Sequence, residues 1–223
     1  MVNIAEWEKL NKSFAAAGVT LVAVSKTKPA EDIQELYNAG QRDFGENYVQ
    51  ELTGKHPVLP PDIRWHFIGH LQSNKVKYIA PYVSLIHSVD NFKLLQEINK
   101  QAIKNNRTIN VLLQYYIARE ESKFGMDEAE IEYVLANKAE LTNVSVCGLM
   151  GMATNTDDTN IVKSEFQRLK SYFDELKDRY FAGAAQFTIC SMGMSGDYDL
   201  AISCGSNMVR IGSLLFGARS YPT

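Results

Sequence analysis

Three features of this chain combine residue type with chemical reach: a lysine at the end of an apolar run, two loops of glycine and serine near the C-terminus, and an arginine between those loops. The lysine is Lys26, in Val24-Ser25-Lys26-Thr27-Lys28-Pro29. Pro29 is suited to open a helix and so to end the run. If the run is a strand, alternation sets Val24, Lys26 and Lys28 on one face, and Lys26 reaches the rim of a barrel when Val24 points inward. Partial burial and the like charge of Lys28 favour the neutral amine, the form that attacks an aldehyde carbon. A strand-end lysine is ordinarily just solvated, so Lys26 alone decides nothing.

The loops supply the second half of the chemistry. Ser191-Met192-Gly193-Met194-Ser195-Gly196-Asp197 leads into a helical pattern through Ala201 and Ile202, and Arg210-Ile211-Gly212-Ser213 leads into a short apolar turn at 214–216. Each offers backbone N–H groups at a helix start, glycine for close approach and a serine hydroxyl beside it. Either loop alone is ordinary turn chemistry; two in adjacent positions read as a phosphate cup. No Walker loop or dinucleotide fingerprint accompanies them, so the ligand is smaller than a nucleotide. An amine facing a phosphate cup suits either a phosphorylated sugar or aldehyde, or pyridoxal 5′-phosphate. Arg210, two residues before Gly212 on the same face, favours the second, since a guanidinium only donates and would hold a pyridine nitrogen unprotonated.

These groups need a scaffold that brings the ends of distant runs together. Short apolar runs occur at 21–26, 44–47, 65–69, 85–89, 109–117, 144–152, 187–192 and 208–212, and helical periods separate them, as in Phe92, Leu95, Ile98, Ala102 and in Ile161, Phe166, Leu169, Phe173, Leu176, Tyr180. Strand then helix, repeated, demands parallel strands joined by right-handed crossovers. Eight units predict an α/β fold, a (β/α)8 TIM barrel, with an open sheet as the other arrangement; both collect function at the carboxyl ends of the strands. Ile4, Trp7, Leu10 and Phe14 add an amphipathic helix in front. No linker divides the 223 residues, so 1–223 read as one domain.

Composition excludes other classes. A formal net charge of −3 argues against nucleic acid as partner. The opening segment carries acids and lysines where a secretory signal needs an apolar core, and no stretch approaches the ~18 apolar residues of a membrane span, so a cytoplasmic protein without a membrane partner is expected. Cys147, Cys190 and Cys204 are odd in number, far apart and in apolar runs, and read as reduced, buried thiols. His66 and His70 share one strand face, but no cysteine or carboxylate follows at ligand spacing, so no metal site is read.

Four ordered motifs then point to a family. Leu21-Val22-Ala23-Val24-Ser25-Lys26-Thr27-Lys28-Pro29, Phe44-Gly45-Glu46-Asn47-Tyr48-Val49-Gln50-Glu51, Trp65-His66-Phe67-Ile68-Gly69-His70-Leu71-Gln72-Ser73-Asn74-Lys75 and the segment 191–217 closely resemble the pyridoxal phosphate homeostasis proteins, relatives of the barrel domain of bacterial alanine racemase. The resemblance implies that Lys26 is the Schiff-base lysine, that Ser195, Gly212 and Ser213 hold the phosphate, that Arg210 faces the pyridine nitrogen and that Asn47 lies beside the ring. It also implies a role for Lys123, in Glu121-Ser122-Lys123-Phe124-Gly125, in receiving or passing on the cofactor, against its reading as a solvated loop lysine. Departures at Tyr115-Tyr116-Ile117, at 148–153 and at Asn207 are expected at the barrel mouth, where they alter ligand access.

Two classes of function stay open. A carrier would buffer the reactive aldehyde and release it to apo-enzymes; a racemase-like enzyme would turn over amino acids. The family's racemases take an opposing tyrosine base from a second domain, and a chain that ends at Thr223 favours the carrier, with no catalytic residue. An arginine-held ring, a poor electron sink, favours it too.

Overall fold

Each of the eight apolar runs becomes a strand. In this computed structural model, which describes residues 2–120 and 124–217, they are β1 (Thr20–Val24), β2 (Asp43–Glu46), β3 (Arg64–Phe67), β4 (Leu85–Val89), β5 (Ile109–Gln114), β6 (Val144–Met150), β7 (Ile189–Met194) and β8 (Met208–Ile211). They pair in parallel in chain order and close with β1 against β8, where Val22 lies opposite Arg210. Helices α1 (Ile4–Ala17), α2 (Ala30–Asn38), α3 (Val49–Lys55), α4 (Val76–Ile79), α5 (Phe92–Lys104), α6 (Glu128–Asn137), α7 (Thr159–Tyr180), α8 (Tyr198–Ser203) and α9 (Ser213–Phe216) precede, join or follow the strands. The architecture is a (β/α)8 barrel with an added N-terminal helix.

Alternation along the strands makes two layers of core. Leu21, Ala23, Ile86, Leu113 and Val209 belong to the large cluster between sheet and helices. Their neighbours Val22, Leu85, Leu112, Met150 and Met208 form a small cluster on the barrel axis with Cys147. The same inner face carries polar residues on β2, β3, β4, β7 and β8. The helices are seated by their apolar stripes: Trp7, Leu10 and Phe14 of α1 are all buried, each worth roughly 1.5–3 kcal/mol of transfer free energy. Trp7 Nε1 also donates to Gln41 Oε1 at 2.9 Å, tying α1 to the barrel floor. Side chains close the helix starts, Asn91 accepting from Leu94 N on α5 and Asp127 forming a capping box with Glu130 on α6.

Several strands are shorter than their apolar runs. β1 stops at Val24 because the chain turns over Ser25 and Lys28, and β5 stops at Gln114, after which Tyr115 bridges only to Met126. Phe187, ahead of β7, packs flat between Phe173 and Phe181. The cysteine reading needs one correction: Cys147 and Cys190 are buried free thiols, but Cys204 is half-buried, since it caps the C-terminus of α8 at the surface. Among the described residues no helix is long and apolar enough to cross a membrane.

Candidate functional site

A cavity of about 270 Å³ opens at the carboxyl ends of β1, β2 and β8, and Lys26, Asn47, Ser195, Arg210, Gly212 and Ser213 all line it, together with Lys28. Val24, Ile68, Met152, Met194 and Phe216 supply its apolar wall. Six positions chosen from four separate stretches of sequence therefore meet in one place.

Lys26 reaches the cavity by way of a turn, not by strand alternation. Ser25 N–H donates to Gly45 O at 2.9 Å, Lys28 N–H donates to Ser25 O at 3.1 Å, and between them Thr27 adopts a left-handed φ of 63°. A non-glycine residue there is strained, so the turn must be held by its surroundings. A buried cluster behind it does so. Lys55 Nζ donates to Ser25 O at 2.9 Å, to Glu46 Oε1 at 2.8 Å and to Glu51 Oε2 at 2.9 Å. Thr27 N–H donates to the same Glu51 oxygen at 2.7 Å, and Ser25 Oγ to Glu46 Oε1 at 2.6 Å. The backbone on both sides of Lys26 is thus pinned. Burial pushes the Glu46 carboxyl up, against the opposing charge of Lys55 and the hydrogen bonds from Lys55 and Ser25. Asn47 is placed by a close approach: a Cβ on Gly69 would lie 2.3 Å from Asn47 O, so only glycine lets the two loops pass.

The two C-terminal loops touch. Gly193, at φ 95°, bends the last residues of β7, where a Cβ would meet that of Ala201 at 2.6 Å. The next turn is closed by Met194 N–H donating to Asp197 Oδ1 at 2.6 Å and Asp197 N–H to Met194 O at 3.1 Å. Gly212 N–H donates to Ser195 Oγ at 3.2 Å, joining this turn to the start of α9. A Cβ on Gly196 would meet nothing within 4 Å, and one on Gly212 would come to 3.3 Å from Val24 O. No severe clash demands glycine at either place; open backbone suits a ligand that approaches the amides. The first N–H groups of α9 have no acceptor within the helix, as at any helix start, and they suit an anion.

Arg210 is 4% exposed, under the cavity floor. Its Nη1 donates to Ser191 O at 3.1 Å and to Ser191 Oγ at 2.7 Å, and its Nη2 to Gly151 O at 3.0 Å. Burial lowers its pKa to about 10, which still leaves the guanidinium charged at neutral pH. Nε–H and one Nη2 hydrogen are outside these contacts, as a guanidinium carries five N–H donors.

Several expectations about the mouth are corrected. Tyr115 is buried on the outer side of the barrel wall, donating to Glu128 Oε1 at 2.5 Å, and Tyr116 donates to Glu120 O at 2.7 Å. Asn207 sits at the opposite end, bridging Thr188 O and Cys190 N at the start of β8. Of the departures from the family pattern, Met152 alone among the described residues lines the cavity. His66 and His70 take different partners, His66 pairing with Asp43 and His87, and His70 with Asp90, because the strand ends at Phe67 and the face they were to share is lost. Lys123 lies outside the described residues. The sequence reading passed over Lys55 and Glu51, whose spacing of four on one helix face was a visible signal, and His87, a lone polar ring in an otherwise apolar run.

Comparison with known proteins gives the family and the same fold. Residues 4–220 match the family model of the alanine racemase N-terminal domain. The chain is 41% identical over 220 residues to a pyridoxal phosphate homeostasis protein of Aquifex aeolicus, covering 96% of this chain and 95% of the relative. It is 40% identical over 207 residues to the protein of that name from Escherichia coli, covering 91% and 87%. PipY of Synechococcus elongatus, solved with PLP bound, superposes with a TM-score of 0.86 at 35% identity, covering 96% of this chain and 100% of that one. An alanine racemase from Bartonella henselae, 17% identical with a TM-score of 0.70, covers 96% of this chain but 61% of its own length and shares the fold. A cavity built by these motifs, on this barrel, with relatives matched nearly end to end, places the chain in the pyridoxal phosphate homeostasis protein family.

Proposed function

We propose that this chain binds pyridoxal 5′-phosphate in the mouth cavity through Lys26 and acts as a carrier of that cofactor, without turning over a substrate. The observation that carries the reading is the convergence of one amine, one buried guanidinium and two Gly/Ser loops on a single cavity of about 270 Å³. The donor set fits the group: an amine for its aldehyde, amides and hydroxyls for its phosphate, and a group that only donates for its ring nitrogen. The ligand named for the relatives is the one this chemistry would select.

When bound, the cofactor supplies an aldehyde that captures amines and a ring able to accept electrons. Lys26 Nζ would hold the cofactor by its aldehyde. Ser195, Gly212 and Ser213 bind the phosphate. Arg210 donates to the ring nitrogen and keeps it unprotonated, and Asn47 lies beside the ring. An unprotonated ring draws little charge from a neighbouring carbon, so breaking a C–H bond on a bound amino acid gains little. Among the described residues lining the cavity there is no tyrosine, histidine, cysteine or carboxylate to face Lys26 as a second base, and a racemase needs groups on both faces. The arginine beneath the ring supports the carrier reading, with apo-enzymes that use the same cofactor as recipients.

Titration of the purified protein with pyridoxal phosphate, followed by absorbance, tests binding; incubation with L-alanine tests catalysis; mixing the loaded protein with an apo-enzyme tests transfer. Saturable binding, no racemisation above the Lys26→Ala level and recovery of apo-enzyme activity are the expected results. Sustained racemisation would make the protein an enzyme instead.

A further inference from the structure

Behind Arg210, a file of polar side chains crosses the barrel interior from the mouth to the floor. Ser191 Oγ accepts from Arg210 Nη1 at 2.7 Å and lies 3.4 Å from His87 Nδ1. His87 Nε2 lies 2.9 Å from His66 Nδ1, and His66 Nε2 lies 3.0 Å from Asp43 Oδ1. Asp43 closes the file at the start of β2, gripped by Arg64, whose Nε and Nη2 donate to its two oxygens at 2.7 and 2.5 Å. Ser191 and His87 are buried to within 1% of complete, and His66 and Arg210 are each 4% exposed. A barrel interior is ordinarily filled by apolar side chains, and buried polar groups persist only when paired.

With both rings neutral, the two ends set the direction of the hydrogens in between. A guanidinium only donates and a carboxylate only accepts. Ser191 Oγ receives a hydrogen from Arg210 and gives its own to His87 Nδ1. His87 then carries its proton on Nε2 and donates to His66 Nδ1, and His66 carries its proton on Nε2 and donates to Asp43. Both rings are neutral in this arrangement. Burial above all holds His87 well below the usual imidazole range. Burial works against the Asp43 carboxylate, but the hydrogen bonds from His66 and Arg64 outweigh it and hold its pKa down at about 2. A directional file of this kind polarises along its length, each donor strengthening the next.

We propose that Ser191, His87, His66 and Asp43 are positioning residues for Arg210, a one-way hydrogen-bond chain that fixes the guanidinium as donor to the ring nitrogen of the bound cofactor. This rests on the reading of the cavity as a pyridoxal phosphate site. Ser191 Oγ accepts the Nη1 hydrogen more strongly while its own hydrogen goes to His87, and His87 Nδ1 accepts that hydrogen while its proton is on Nε2, held toward His66. The file gives the charge of Arg210 an ordered set of dipoles that ends on a carboxylate. Loss of a link at the floor should therefore be felt at the mouth.

The test compares two ligands: pyridoxal phosphate and its 1-deaza analogue, which keeps aldehyde and phosphate but has C–H in place of the ring nitrogen. Ser191→Ala and His66→Phe break the file near and far from Arg210; His66→Gln restores it, since its carboxamide oxygen can accept from His87 and its NH2 can donate to Asp43. Both breaking variants are expected to weaken pyridoxal phosphate binding about five- to tenfold, the size of one hydrogen bond, and to leave the deaza analogue within about twofold. His66→Gln is expected to return pyridoxal phosphate affinity to within about twofold of wild type. Equal losses for the two ligands, or a difference between them below about threefold, would overturn the proposal and leave the file a structural filler. If His66→Phe does not fold by circular dichroism, Ser191→Ala, which only removes a hydroxyl, decides the matter on the same criteria. Failure of the wild type to bind pyridoxal phosphate would sink the functional reading instead, so the two failures are told apart.

Discussion

Replacing Lys55 by methionine separates the clamp behind Lys26 from Lys26 itself. The side chains of Lys55 and Glu46 are 10% and 0% exposed and their charged atoms are 2.8 Å apart. Removing one member of a buried pair leaves the other charge uncompensated, at a cost of roughly 3–5 kcal/mol. The second arm, to the part-exposed Glu51, adds little to that, since exposed pairs contribute only about 0–1 kcal/mol. Glu46 Oε2 already lacks a partner among the described residues, so nothing is in place to absorb the loss. Lys55→Met is therefore expected to lose roughly 3–5 kcal/mol by urea unfolding, and Lys55→Met with Glu46→Gln to recover most of it, because the orphaned charge is gone. The clamp also fixes the peptides on both sides of Lys26. In the double variant, affinity for pyridoxal phosphate is expected to fall about tenfold, while pyridoxine phosphate, with the same ring and phosphate but no aldehyde, changes by less than about twofold. A single variant as stable as wild type to within about 1 kcal/mol, or equal losses for both ligands, would show that the cluster does not position Lys26.

Two further outcomes follow from the cavity and the barrel interior. Gly212→Asp places a carboxylate where the phosphate must approach the loop amides, and is expected to cost pyridoxal phosphate at least ~3 kcal/mol of affinity while hardly changing that for pyridoxal; since its Cβ would lie only 3.3 Å from Val24 O, Gly212→Ala serves as the packing control in parallel titrations, and equal losses for the two ligands would confine Gly212 to the turn. His87 has a folded pKa well below its unfolded value, so its contribution to stability is complete above about pH 6.5 and is lost as pH falls below it, at up to ~1.4 kcal/mol per pH unit. Unfolding free energies between pH 5 and 8 are expected to lose about that slope in His87→Gln, and parallel curves would mean that His87 titrates normally.

The barrel was legible because its signals are repeated and local: eight apolar runs, each a few residues long, with helical periods such as Phe92, Leu95, Ile98 and Ala102 between them. The cavity was legible in part for a topological reason, because strand ends converge on one rim and Lys26, Asn47, Arg210 and Gly212 each sit at or just beyond one. What escaped the sequence depends on contacts that alternation does not encode. The Thr27 turn carries Lys26 beyond the last strand residue, and its support comes from Lys55, 30 positions from Ser25. His87 acquires a role only when β3, β4 and β7 curve its ring between His66 and Ser191. Tyr115 was misplaced at the mouth because β5 ends one residue before it, so its ring turns outward to Tyr172 and Glu128.

The assignment of Lys26 stands or falls on a trapped adduct. Purified protein loaded with pyridoxal phosphate, reduced with borohydride, digested and mapped by mass spectrometry should carry one reduced pyridoxyl group on Lys26, and Lys26→Ala should lose it while keeping its circular dichroism spectrum. An adduct of unchanged stoichiometry on Lys28, Lys123 or any other lysine in the Lys26→Ala protein would contradict it.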